Sequence, residues 1–569
     1  MTSKHPTRLG VQRLPAAAAV IAGFALYPAR AVDAQVVLPS QSDISRQRVA
    51  PLPLPSLNYD FRIQSPEKSA VPRAVDEVEF SISLVRVTGA TYFPKSEVDA
   101  LFASLIGRKI VLQDLRDAAQ KLEDLYRSEG FFLTRVFVPP QQVAGGTLQV
   151  QVLEGYISDV FVDGPNPSST RLIQTLMASV PKERPARFSK LERHMLLVND
   201  IPGLAGTTVL QQGGALGSSE LVVSAIKVPN QYRATFSNTS AELVGPLSYS
   251  LGATISQPFN RPGALDLTLS SAGQQLRELR SVSARYAMPI GAHGIVGSVG
   301  GLFAYARPGG QIKDLDVRSR VMSFNGRLRM PLMRSRKNSV YLDLGVALNR
   351  NETSILGEPL SDDRSTVAEA TVSWQQANWL NGDTNMSLSL FQGLVVLGAN
   401  DANAPLASVP GFEPRFQRVV YAFARNQRLT PRLSAQLNLQ GQYSTDRLAS
   451  GELISFGGPA IGRGYDPSVI TGERGLGLSG ELRYALPLAA EKLIEGVQLY
   501  GFADIARGTT LASTTSDKLV NQITSLGLGV RLLMLGRFNV DLQGAQARRK
   551  LVAEENISAR FNLNVLVMF

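Results

Sequence analysis

Residues 340–349 read Val-Tyr-Leu-Asp-Leu-Gly-Val-Ala-Leu-Asn. Val340, Leu342, Leu344, Val346 and Leu348 share one face of an extended chain, while Tyr341, Asp343, Gly345, Ala347 and Asn349 share the other. Period two is the mark of a strand, because successive side chains point to opposite faces. The alternation returns further on. Ala435, Leu437, Leu439 and Tyr443 oppose Gln436, Asn438, Gln440 and Gln442. Leu526, Leu528, Val530 and Leu532 oppose Ser525, Gly527, Gly529 and Arg531. The second face carries polar groups, glycines and ionised groups, so it is no packed core. A sandwich with one wet face would give the same pattern. The last segment favours a membrane barrel: Phe561, Leu563, Val565, Val567 and Phe569 form an apolar face that ends in an aromatic.

Residues 230–569 hold about sixteen such segments, roughly 21 residues for each strand with its connection, and a barrel strand needs only about 9–11 to cross. Sixteen strands leave room for an aqueous lumen. Beyond residue 34 there is no run of 18 apolar residues, which excludes a helical membrane protein. A closed barrel is the other way to satisfy backbone groups in lipid. The expected fold is therefore an antiparallel transmembrane β-barrel of about sixteen strands.

Composition removes several chemistries. The 569 residues include no Cys and three His, namely His5, His194 and His293. Disulfides, thiolate zinc sites and cysteine nucleophiles are excluded, and a multi-His metal centre is nearly so. Residues 1–34 read as a secretory signal: basic Lys4, Arg8 and Arg13, an apolar core over 15–26, and cleavage candidates at Ala29-Arg30-Ala31 and Val32-Asp33-Ala34. Its removal takes away four basic groups and one acidic group, which brings the formal charge from +11 to +8. That mild surplus on an exported chain does not point to nucleic acid.

Between leader and barrel lie a linker and two small units. Residues 35–76 are rich in Pro, Ser, Gln and Arg and read as a linker with a short helix near 40–50. Residues 77–155 show a strand at Glu79–Val87, then Val98, Leu101, Phe102 and Leu105 at helical spacing with Ser96 as N-cap. A second helix carries Leu115, Ala118, Leu122 and Leu125 and closes at Gly130, before strands at Leu133–Val138 and Thr147–Leu153. Residues 156–229 repeat the order β-α-α-β-β, with a strand at Asp159–Val162, helices carrying Leu172, Ile173, Leu176, Met177 and Leu191, Leu196, Val198, and strands near Thr207–Gln211 and Glu220–Val228. Two successive units with one element order are an internal repeat.

One stretch stands out in the long connection at about 445–474: Phe456-Gly457-Gly458-Pro459-Ala460-Ile461-Gly462-Arg463-Gly464-Tyr465. Glycines let a loop enter a narrow space, and an arginine at the tip offers a five-donor fork. A phosphate cradle would need a Lys-Ser/Thr pair and a following helix, and both are missing. Parity supplies partners for Arg463. With Leu476, Leu478, Leu482, Tyr484 and Leu486 facing lipid, Glu481 faces the lumen; with Val497, Leu499, Ala503 and Ile505 facing lipid, Tyr500, Phe502 and Asp504 face inward. The Gly475–Gly480 match to G-x-G-x-x-G is followed by strand alternation, so it reads as chance. No catalytic constellation, metal site or cofactor site is visible, and His194 and His293 read as surface or structural residues.

Signal, two units and barrel together resemble the two-partner secretion transporters (TpsB) of the haemolysin and filamentous-haemagglutinin type. The small units look like POTRA domains. The resemblance rests on Ser128-Glu129-Gly130-Phe131 through Val138-Pro139-Pro140-Gln141 and on Leu148–Ile157 for the first, and on Leu196-Leu197-Val198-Asn199-Asp200-Ile201-Pro202-Gly203 for the second. Gly462-Arg463-Gly464-Tyr465 is similar to the family's lid-loop tip, with Gly462 in place of the usual Val. Phe502-Ala503-Asp504 is similar to the strand motif that binds the loop arginine, with Ala506 where the motif has Gly.

The resemblance implies a Gram-negative outer-membrane protein, POTRA units in the periplasm, and an unfolded exported partner (TpsA) that binds them and passes through the barrel. It also implies insertion into outer-membrane lipid by the barrel assembly machinery, with terminal Phe569 as an assembly signal, and an N-terminal plug helix, for which Pro51, Pro53 and Pro55 leave room only for a short one near 40–50; nothing in the sequence requires more than a monomer. Three rivals stand beside it: an assembly insertase of the same superfamily, which usually carries more POTRA units; a passive porin; and an exported enzyme with a β-domain. The count of two units argues against the first, two periplasmic repeats and the Arg463 loop against the second, and the missing catalytic groups against the third.

Overall fold

The computed structural model describes residues 52–56, 60–63, 79–141, 145–273, 276–487, 493–512, 517–551 and 559–569. The leader expected over 1–34 and the plug helix expected near 40–50 lie outside them.

In the first unit, helix α1 (Lys95–Phe102) and helix α2 (Leu112–Ser128) pack on a three-stranded sheet whose central strand is Thr147–Leu153. Leu115, Ala118, Ala119, Leu122 and Tyr126 form the buried stripe of α2. The end of α2 is a Schellman motif: Gly130, at φ +91°, donates to Arg127 O, and Phe131 N donates to Tyr126 O.

Two expectations change here. Ser96 is not the N-cap of α1; the helix starts at Lys95, and Pro94, with ψ 141°, precedes it. Pro94 holds the N-cap place, its carbonyl takes the Glu97 and Val98 amides, and the helix has no side-chain cap. The first strand is also split. Phe80–Ser81 pairs with Lys109–Ile110, whereas Leu84–Thr88 pairs in parallel with Thr147–Gln151. Two different partners pull the chain apart at Ile82, which is buried.

The second unit has helix α3 (Pro167–Met177), capped by the Asn166 side chain, and helix α4 (Phe188–Asn199). They pack against a sheet ordered Asp60–Ile63, Leu204–Gln212, Ser218–Lys227, Tyr156–Asp163, so a piece of the linker forms one edge. The unit rests on one end of the barrel through Asn166 to Gln257, Gly263 N to Pro202 O, and Arg193 to the carbonyls of Pro331 and Leu332. His194 bonds Ser179 and the Lys190 carbonyl, a structural place, and His293 sits in a barrel turn.

The barrel is closed and antiparallel, with sixteen strands from Gln231–Ser237 to Ala559–Met568. Its ends meet over Arg233–Ser237 and Asn564–Met568, flanked by mutual main-chain bonds between Tyr232 and Phe569, whose rings stack. Alternation sets the two faces as expected. Leu344, Val346 and Leu348 are exposed on the outside, where lipid covers them, while Tyr341, Asp343 and Asn349 are buried on the inside. Among the described residues no helix is long and apolar enough to cross a membrane.

Candidate functional site in the barrel interior

The connection between the eleventh strand (Leu433–Ser444) and the twelfth (Arg474–Ala485) folds back into the barrel. Its stem is a small hairpin, Ile454–Phe456 paired with Ile470–Gly472. The wall makes room for it with inward glycines. A Cβ on Gly477 would lie 2.4 Å from the Phe456 ring, and one on Gly475 would lie 2.8 Å from Ile454. The chance nucleotide-like run 475–480 is thus strand throughout, and its first two glycines form the bed on which the loop lies. Ile454, Phe456, Ile461, Tyr465 and Ile470 pack there with wall residues Ala506, Ile523 and Ala547. Burial of this patch holds the loop by the hydrophobic effect.

The tip turns on Gly457, Gly458 and Gly462, all with positive φ. Gly464 lies flat against the fifteenth strand: an added Cβ would come 2.6 Å from Ala547 N. This geometry aims Arg463 at the wall. Its Nε and Nη2 donate to Asp504 at 3.0 and 2.8 Å, Nη1 donates to Glu481 at 3.0 Å, and Nη2 also reaches Ser479 at 3.0 Å. The guanidinium carbon lies 3.5 Å from the Phe502 ring centroid, a cation–π contact. The main-chain amides of Gly462 and Arg463 donate to Asp504 at 3.1 Å each, and Ser525 completes its shell at 3.2 Å. Arg463 and Asp504 are both buried. A buried pair is held well only when its remaining polar atoms are bonded, and here they are.

All seven site residues singled out in the loop and wall therefore meet in one place: Gly462, Arg463, Gly464, Tyr465, Glu481, Phe502 and Asp504. Tyr465 does so at a distance from the arginine, donating to the carbonyls of Thr524 and Arg549. Phe569 lies elsewhere, at the seam.

The structure adds residues that the sequence reading missed. Glu481 also accepts from Arg483 and Arg531, and Arg531 passes on to Asp541, which takes the Tyr500 hydroxyl. Ser479 and Asn562 bond the tip directly, and Ser525 bonds Asp504 beneath it. Among the described residues no group of His, Cys, Asp or Glu is placed to hold a metal.

The comparisons agree with this architecture. Residues 217–532 match the model of the haemolysin secretion/activation protein family ShlB/FhaC/HecB, and residues 80–155 match the ShlB-type POTRA domain. The heme/hemopexin transporter protein HuxB of Haemophilus influenzae (strain 86-028NP) is 20% identical over 520 residues, covering 89% of this chain and 90% of the relative. The outer membrane transporter CdiB of Dickeya dadantii is 22% identical over 445 residues, covering 74% and 75%. Among solved structures, CdiB from Escherichia coli superposes with a TM-score of 0.68 at 17% identity, covering 93% of this chain and 95% of its own. BamA from Haemophilus ducreyi lacking POTRA domains 1–3 gives 0.51 at 14% identity, covering 86% and 100%. Both structural matches speak to the fold.

Proposed function

We propose a function from one premise: this chain belongs to the haemolysin secretion/activation family ShlB/FhaC/HecB. It is an outer-membrane transporter of the two-partner type, with its POTRA region in the periplasm, and it secretes a partner protein. The family is one of secretion transporters rather than of enzymes.

The finer reading is our own. The partner arrives unfolded, is taken up by the first unit and by the second, which acts as a second POTRA, and threads the barrel as an extended chain. An exposed sheet edge is a ready acceptor for such a chain. The loop tipped by Gly462-Arg463-Gly464-Tyr465 is a lid, and Asp504, Glu481 and Phe502 hold it in the position that admits cargo. Phe569 closes the seam during insertion by the barrel assembly machinery, and the working unit is a monomer.

The observation that carries this reading is the lid folded into a closed barrel and pinned by Arg463, with the second unit docked at one end. The experiment is export of the partner from cells with and without this protein. The reading expects the partner to stay in the periplasm when the transporter is removed and to leave when it is restored. Export that continues without it refutes the reading.

A further inference from the structure

The sixth barrel strand, Arg318–Arg334, carries a bulge. Pro331 pairs with Tyr341 and Met333 with Val340, so Leu332 is an extra residue without a partner. A bulge flips the parity of everything beyond it. Arg329 and Arg334 are five positions apart and would face opposite ways in a regular strand. With Leu332 inserted, both face inward.

Each arginine is held from behind by a carboxylate. Arg329 Nε donates to Asp343 at 2.9 Å; Arg334 Nε and Nη2 grip Asp200 of the second unit at 2.8 and 2.7 Å. All four side chains are buried, Arg334 fully. Arg334 Nη1 donates to Ser339 at 3.1 Å, and both arginines also reach the linker. Arg329 reaches the carbonyls of Pro53 at 2.7 Å and Leu52 at 2.9 Å, and Arg334 reaches that of Ser56 at 2.5 Å. The carbonyls that the bulge leaves free take Arg193 of α4.

These arginines take the linker by its main-chain oxygens. A proline-rich stretch is suited to that. Pro53 and Pro55 lack an N–H and fix their φ, and a polyproline II chain repeats every three residues with its carbonyls unbonded. The carbonyls of residues 53 and 56, three apart, are taken by the two forks. A seat that reads main-chain carbonyls has no need of a particular side chain.

We propose that Arg329 and Arg334 form a clamp for extended polypeptide backbone at the periplasmic mouth of the barrel, seated by linker residues 52–56 at rest and by the unfolded cargo during secretion. The proposal rests on the transport reading above. Arg334 makes the seat responsive to the second unit, since one guanidinium joins Asp200 to the linker carbonyl.

The test uses the full-length protein in cells, with a photo-cross-linking phenylalanine at one of two positions and a cargo stalled in the pore. Tyr341 borders the clamp, with its ring centroid 5.7 Å from the Arg329 guanidinium. Ser387 lines the cavity that the lid and Leu54 share. Without cargo, position 341 should give an internal adduct to residues 52–56, identified by mass spectrometry. With stalled cargo, both positions should give cargo adducts, and Arg329→Gln should lower the adduct at 341 about tenfold, the loss expected for one charge-assisted hydrogen bond, while sparing the one at 387. Cargo adducts at 387 with none at 341 overturn the clamp and leave the transport reading intact. No cargo adduct at either position overturns both.

Discussion

Asp504 takes four hydrogen bonds from the lid tip, two from the Arg463 side chain and one each from the amides of Gly462 and Arg463, at 2.8–3.1 Å. One carboxylate thus reads both the charge and the backbone shape of the loop. Lysine would supply the charge without the planar fork, and a side chain at 462 would press on Ile523.

The first prediction follows from that double reading. Arg463→Lys, Arg463→Ala and Asp504→Ala should all free the lid, giving single channels in planar bilayers that are larger and noisier than wild type. Removing one partner of a buried pair costs about 3–5 kcal/mol where water is excluded, and less in a hydrated lumen. Unchanged conductance in Arg463→Ala would show that the loop is held by its apolar patch alone.

The glycine bed makes a second prediction with a built-in control. Gly477→Val puts a branched side chain into the Phe456 ring, since an added Cβ already lies 2.4 Å away, whereas Gly480 has nothing within 4 Å. Overpacking of this kind costs about 1–3 kcal/mol. Gly477→Val should reproduce the noisy channel of Arg463→Ala, and Gly480→Ala should behave as wild type. Protease sensitivity of the lid, read on purified protein, checks both.

A third prediction concerns the first unit. Burial raises the Glu154 carboxyl, but bonds from Thr91, Tyr126 and the amides of Thr91 and Tyr92 outweigh it and leave the pKa below its ordinary 4.5. A depressed carboxylate stabilises the fold above its unfolded pKa, and that contribution is lost as pH falls through the folded value. Glu154→Gln should lower the stability of the periplasmic unit by about 1–3 kcal/mol near neutral pH. The gap to wild type should narrow below about pH 4.5, where Glu154 begins to protonate in the unfolded chain. Urea titrations of the full-length protein at several pH values, followed through the periplasmic transition, measure the gap. A gap that is constant from neutral pH to well below that point would contradict the assignment.

Docking of the second unit gives a fourth. Asp200 belongs to the Leu196–Gly203 stretch, which binds the barrel through the Asp200 carboxylate and the Pro202 carbonyl. Asp200→Ala leaves Arg334 buried without its partner and should loosen the unit. Proteolysis at the unit–barrel junction should speed up, while the barrel remains heat-modifiable on gels.

Much of this was legible in the sequence, for a simple reason. Strand alternation has period two, so the face of each residue follows from parity alone, and Glu481 and Asp504 were placed inside by counting. Parity does not give the offset between strands. The register sets Asp504 opposite Ser479 and Ser525 and Glu481 opposite Phe502, so Ser479, an ordinary lumen hydroxyl by composition, became a ligand of the tip and Ser525 one of Asp504. The clamp was hidden for a related reason. A bulge breaks parity, and its trace is the pair Leu332-Met333, two adjacent apolar side chains both exposed on the lipid side. The N-cap at Ser96 failed because the helix starts at Lys95, which puts Pro94 at the cap and Ser96 inside the first turn.

The most direct test is secretion of the partner by wild type, Arg463→Ala, Asp504→Ala and the double variant, with the amount of folded barrel in the outer membrane measured beside each. The account predicts normal barrel levels, a fall of about tenfold or more for each single variant, and a double variant no worse than either, because the two residues act as one unit. Wild-type secretion by Arg463→Ala, with the barrel at its normal level, would contradict it.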